Sequence, residues 1–133
     1  VHPRAVVSRL ATVGHNVLLM AGVVVTSNAV IGNHVCVLPN TVIHHDASIG
    51  DYSLIGSNVT VAGGVRIGAN VYVGSGTSIR NGITVGDGAL VGLGSTVVRD
   101  VPPGAIVAGN PARPIARTAA TTPHHEIAGL TST

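Results

Sequence analysis

A branched aliphatic residue returns at every sixth position of the chain without interruption: Val1, Val7, Val13, Leu19, Val25, Ile31, Val37, Ile43, Ile49, Ile55, Val61, Ile67, Val73, Ile79, Val85, Val91 and Val97. Four residues after each stands a small or β-branched one, from Ala5, Ala11 and Val17 through Thr41, Ala47 and Ser53 to Ser95 and Val101. Three residues after the aliphatic the chain repeatedly carries Asn (Asn16, Asn28, Asn40, Asn58, Asn70), Gly (Gly22, Gly64, Gly76, Gly82, Gly88, Gly94) or Asp (Asp46, Asp100). These residue types tolerate a left-handed backbone, as a tight corner demands. The period is that of neither an amphipathic helix nor an alternating strand. It predicts very short strands joined by corners.

Glycine adds a longer repeat of eighteen residues, at Gly14, Gly32, Gly50, Gly68 and Gly86 and again at Gly56, Gly74 and Gly92. Three hexads therefore make one triangular coil, and successive coils stack about 4.8 Å apart. The expected fold is all-β, a parallel β-helix over residues 1–101. Pro102 and Pro103 open a closing segment, 102–117, which stops strand addition at an edge that would otherwise recruit another chain. Residues 118–133 are a Thr/Ala-rich tail, expected to be flexible or loosely packed, in which His124-His125-Glu126 is incidental.

Composition agrees with such a prism. A length of 133 residues suits one domain, and with no Phe or Trp and two Tyr the core must be built from small aliphatics, which fill narrow regular layers. The seven basic residues are all Arg, spread thinly against five acidic ones, and form no stripe for nucleic acid. One cysteine, Cys36, cannot make an internal disulfide and reads as inert packing in a reducing compartment. Frequent Gly and polar residues exclude a membrane-spanning helix, and no charged segment leads into an apolar run as in a signal peptide. The expected location is the cytoplasm. The chain opens at Val1 rather than Met, as a fragment or processed product would.

Candidate chemistry lies in the stretch VIHHDASIG, residues 42–50. Asp46 occupies a corner position, His45 the outward position before it, and His44 a place where Gly is commonest, so all three can be read as polar corner residues. Counting eighteen onward from His45-Asp46 gives Gly63-Gly64, so the next coil sets no side chains above the pair. That leaves a recess where a thin ligand can lie against backbone amides. An imidazole titrates near neutrality and can take a proton from an attacking amine or hydroxyl, while a neighbouring carboxylate fixes its tautomer.

The hexads, together with VHPRAVVS at the start, IHHDASIGDY and VAGGVRIG in the middle and VRDVPPGAIVAGNPAR at the end, resemble the hexapeptide-repeat acyltransferases. Within them the chain is similar to the branch of sugar acetyltransferases that includes the sialic-acid O-acetyltransferases and the N-acetyltransferases of nucleotide-linked 4-amino sugars. The resemblance covers residues 1 to about 113 and implies a left-handed prism, against the usual crossover rule. It implies direct acetyl transfer from acetyl-CoA to a sugar, with His45 as catalytic base and Asp46 as its hydrogen-bonding partner. It implies a homotrimer with the cofactor in a groove between subunits, touching Leu54, Gly63, Ser75 and Leu93, with Arg113 as a candidate for a CoA phosphate. Members of the branch usually carry a small nucleotide-sugar-binding domain before the segment matching Val1.

The family often has His at the position of Leu54, Asn at that of Leu38, and an acidic residue where His44 stands. No metal is required, and His15, His34, His44 and His45 lack the spacing with which a γ-class carbonic anhydrase holds zinc on the same prism. The acceptor, and the choice between O- and N-acetylation, stay open. The alternative is a trimerising β-helix that positions a partner and performs no chemistry.

Overall fold

Each hexad folds as a two-residue strand followed by a corner, and the computed structural model of the protein describes this for residues 1–115. Strands eighteen residues apart pair in parallel, giving three faces. The first contains Val6–Val7, Val24–Val25, Val42–Ile43, Thr60–Val61, Ser78–Ile79 and Thr96–Val97. The second contains Thr12–Val13, Val30–Ile31, Ser48–Ile49, Arg66–Ile67 and Thr84–Val85. The third runs from Leu18–Leu19 through Cys36–Val37, Leu54–Ile55 and Tyr72–Val73 to Leu90–Val91. The chain is thus a left-handed parallel β-helix, with edges where the first face meets the second, the second meets the third, and the third returns to the first.

The sixth-position aliphatics point inward. Leu19, Ile31, Ile43, Ile49, Ile55 and Ile79 are fully buried and stack along the axis, each worth about 1.5–3 kcal/mol of apolar burial. Val7 and Val13 are only half-buried and Val1 is exposed, because the first coil has a neighbouring coil on one side only. Hydroxyls at the second inward position are satisfied by the backbone: Thr41 Oγ1–H donates to the Gly56 carbonyl at 2.6 Å and accepts the Val59 N–H at 3.1 Å. Among the described residues no buried side-chain polar atom lacks a partner. The eighteen-residue glycines answer to contact between coils, since a Cβ on Gly50 would stand 2.6 Å from the carbonyl carbon of Gly68.

The corners are left-handed at the expected Asn and Gly positions and at Asp46, with φ of 62° there. Two further corners carry bulky residues, His34 and Tyr52, at φ of 59° and 64°. Their rings stack in adjacent coils at 4.8 Å, a contact of about 0.5–1.5 kcal/mol that offsets the backbone strain. Asp100 departs from expectation and is not left-handed. Val101 bridges Val85, sixteen residues back rather than eighteen, so this last corner is two residues short, and Asp100 Oδ1 accepts the Thr84 N–H at 2.8 Å.

The chain then adds Ile106–Gly109 in parallel to Leu90–Val91 and folds back with Ala112–Pro114 in antiparallel pairing, closing the third face with a hairpin. The tail 118–133, its His124-His125-Glu126 and the end of the closing segment lie outside the described residues. No helix among the described residues is long and apolar enough to cross a membrane.

Candidate functional site

The edge between the first and second faces is built, coil by coil, from Arg9-Leu10, Ser27-Asn28, His45-Asp46, Gly63-Gly64 and Asn81-Gly82, and ends in the shortened corner at Arg99. Asp46 donates its N–H to the Ser27 carbonyl at 3.1 Å, and Gly64 donates to the His45 carbonyl at the same distance, which locks these corners in line along the axis. The left-handed turn at Asp46 swings its carboxylate beside the preceding imidazole. His45 Nδ1 stands 3.1 Å from Asp46 Oδ2, and both side chains are more than half exposed. A carboxylate only accepts, so neutral His45 carries its proton on Nδ1 and leaves the Nε2 lone pair free.

Gly63 makes room for this ring. A Cβ there would stand 2.7 Å from His45 Cε1 and 2.9 Å from Nε2, whereas a Cβ on Gly64 meets nothing nearer than Gly82 at 4.0 Å. The backbone at this edge is also left open. On the edge between the second and third faces, the N–H groups of His15, Asn33 and Ala69 are covered by side-chain oxygens of Asn33, Asp51 and Asp87 from the coil above, at 2.7–2.9 Å. Gly63 offers His45 no such oxygen, and the Gly63 N–H has no acceptor among the described residues. An imidazole, the carboxylate that orients it and an N–H without an acceptor among the described residues therefore meet in one recess.

The other expected residues lie elsewhere on the prism. Ser75 and Leu93 sit one above the other on the edge between the third and first faces, where Ser75 Oγ accepts the Ser57 N–H at 3.0 Å. Leu54 is half-buried on the outside of the third face, between Cys36 and Tyr72. Within one chain the first face separates these residues from His45. His44 is half-buried beside His45, and Leu38 is half-buried in the third face's approach to its corner. His15 and His34 belong to the edge between the second and third faces, and His2 Nδ1 accepts the Arg4 N–H at 3.0 Å. No group of three or more His, Cys, Asp or Glu among the described residues is arranged to hold a metal. Burial pushes the Cys36 thiol pKa upward, away from thiolate chemistry.

Arg113 lies exposed in the hairpin, opposite Ala108. With Arg99 and Asp100 it lines a cavity of about 540 Å³ between the last coil and the hairpin. Arg99 was not singled out by its sequence context, yet it follows His45, Gly63 and Asn81 in steps of eighteen, and that spacing is the signal that would find it. The cavity lies three coils, roughly 14 Å, along the edge from His45.

Residues 10–45, 28–63 and 46–81 match the model of the bacterial transferase hexapeptide family (six repeats), and residues 64–99 match the hexapeptide repeat of succinyl-transferase. No curated protein sequence matches the chain. Among solved structures, PerB from Caulobacter crescentus in complex with CoA and GDP-perosamine is 34% identical with a TM-score of 0.86, the match covering 87% of this chain and 56% of PerB. A variant of the GDP-perosamine N-acetyl transferase of the same organism, with one histidine replaced by alanine and again in complex with CoA and GDP-perosamine, is 33% identical with a TM-score of 0.87, over 88% of this chain and 56% of that one. The acetyltransferase domain of PglB from Neisseria gonorrhoeae FA1090, in complex with acetyl coenzyme A, is 32% identical with a TM-score of 0.58, over 85% of this chain and 55% of that one. The chain thus spans little more than half the length of these proteins. Family models cover the prism from residue 10 to residue 99, and the chain belongs to the bacterial hexapeptide-repeat transferases.

Proposed function

We propose that this chain is an acetyltransferase domain that moves an acetyl group from acetyl-CoA to an amine or hydroxyl of a sugar, with His45 as general base. The observation that carries this reading is the His45–Asp46 pair held at 3.1 Å beneath a glycine recess. Similarity to proteins solved with CoA or acetyl coenzyme A, two of them also with GDP-perosamine, supports the choice of donor and a nucleotide-linked sugar as acceptor.

In this mechanism Asp46 holds the imidazole so that Nε2 faces the acceptor. His45 Nε2 takes the proton from the acceptor's amine or hydroxyl as that atom bonds to the acetyl carbonyl carbon. The Gly63 N–H donates to the oxygen on which negative charge develops. The carbon–sulfur bond then breaks, and His45 returns its proton to the departing sulfur. Most of the remaining rate enhancement is positioning of two bound substrates.

His45 and Gly63 occupy one edge of the prism, and Ser75 and Leu93 another. A cyclic trimer with grooves between neighbouring prisms brings the two edges together, one from each subunit, and a ring of this kind closes a heterologous interface. The donor's pantetheine lies over Gly63 and against Leu54, Ser75 and Leu93 of the neighbour, while Arg113 and Arg99 face its phosphates.

Calorimetry with acetyl-CoA on the parent chain and on His45→Ala, followed by thiol release with a panel of nucleotide amino sugars, tests the reading. The expected result is binding by both proteins and turnover by the parent alone, with a loss of roughly 10²–10⁴-fold. Failure of the folded parent to bind acetyl-CoA would leave a scaffold.

A further inference from the structure

No arginine among the described residues is paired with a carboxylate: His45–Asp46 is the one ion pair among them, and no described Arg approaches a carboxylate within 4.0 Å. The aspartates are committed elsewhere: Asp51 and Asp87 accept the N–H groups of Asn33 and Ala69, at 2.8 and 2.9 Å, and Asp100 accepts that of Thr84 at 2.8 Å.

Arg80 is the one placed over the recess. His44, Ala62 and Arg80 follow one another up the border of the first face, tied coil to coil by the His44 N–H to the Val61 carbonyl at 2.9 Å and the Ala62 N–H to the Ile79 carbonyl at 3.2 Å. The coil between carries only Ala62, Gly63 and Gly64, with the His45 ring lying against Gly63, so the slot at this corner has His44 and His45 as its floor and Arg80 and Asn81 as its roof. Both roof side chains are exposed. The roof lies two coil steps, roughly 10 Å, from the His45 corner.

We infer that Arg80, with the Asn81 amide, forms a subsite for a phosphate or diphosphate group of one of the two substrates. A guanidinium presents a planar fork of N–H donors that matches phosphate oxygens two at a time, and a carboxamide N–H adds a third contact. With the reacting amine or hydroxyl at His45 Nε2, a sugar lying in the slot places its linked phosphate under this roof. The inference rests on the proposed function for the identity of the substrates, while the anion subsite itself is defined by the slot and its arginine.

The test is calorimetric titration of the whole chain with inorganic pyrophosphate, comparing the parent with Arg80→Ala, Arg80→Lys and Arg4→Ala, the last an exposed arginine far from the slot. Arg80→Ala is expected to weaken pyrophosphate about tenfold or more, Arg80→Lys less, and Arg4→Ala less than twofold. Equal affinity in the parent and Arg80→Ala, or no binding by the parent, overturns the proposal. Repeating the titration with saturating CoA identifies the source of the group: retained pyrophosphate binding assigns the subsite to the acceptor, and displacement assigns it to the donor's own diphosphate. Because the readout is binding of pyrophosphate, it stands apart from any failure to find turnover.

Discussion

Replacing Gly63 by alanine separates the site from the fold. Gly63 has an ordinary backbone conformation, outside the left-handed corners, so an alanine there strains nothing locally and restricts the unfolded chain, a gain of about 0.4–1 kcal/mol. The new methyl would stand 2.7 Å from His45 Cε1, and ordinary contact begins at 3.4 Å, so the ring must retreat by several tenths of an ångström. His45 is exposed enough to swing outward, so the retreat is cheap for stability. It carries Nε2 out of the recess and loosens Nδ1 from Asp46. A displacement on the order of 1 Å lowers turnover by about 10²-fold.

Gly64→Ala should do the reverse. Its φ of 71° makes an alanine unfavourable by about 1–2 kcal/mol, while its methyl clears every neighbour by 4.0 Å. Thermal melts and thiol-release kinetics on the two variants should therefore cross: Gly63→Ala keeps its Tm and loses turnover, and Gly64→Ala melts several degrees lower and keeps most of its turnover per folded molecule. Full activity in Gly63→Ala would refute the placement of the acetyl group over this glycine.

Asp46→Asn keeps the left-handed corner, which Asn favours elsewhere in the same column, and removes the charge; kcat should fall roughly 10–100-fold with the Tm little changed, as a kinetic and melting comparison will read. Cys36, whose thiol pKa is raised by burial, holds less thiolate at any given pH than a free cysteine. Its reaction with a maleimide or disulfide reagent in the folded protein should be slow near neutrality and accelerate only at more alkaline pH than in the urea-unfolded chain.

The architecture could be read from the chain because it is a translation: residues eighteen apart share an environment, so one hexad table assigns face, edge and interior. The same arithmetic separates His45 and Gly63 from Ser75 and Leu93, which leave different remainders on division by eighteen and so fall on different edges. What the table omits depends on local stereochemistry. It anticipates Asn, Gly and Asp at corners but not His34 and Tyr52, where ring stacking between coils compensates an unfavourable backbone. It assigns Asp100 to a corner of full length, whereas the chain leaves the period there to meet Pro102 and the hairpin. The uncovered Gly63 N–H is visible only in the folded chain, because it follows from which side-chain oxygens reach down from the coil above. The open arginines follow in the same way, from where the aspartate oxygens go.

The constant step between coils makes the edge a graduated scale. His45 is its zero, the recess its first mark, Arg80 and Asn81 its second, and the arginine-lined cavity its third, each separated by one strand spacing of about 4.8 Å. The reach of any molecule that must touch both ends is thereby fixed by an integer, the number of coils between His45 and the closing hairpin. Inserting or removing eighteen residues in that interval would change the distance from His45 to the hairpin by one unit while leaving every face in register, so the span can be altered in whole steps without redesigning either end.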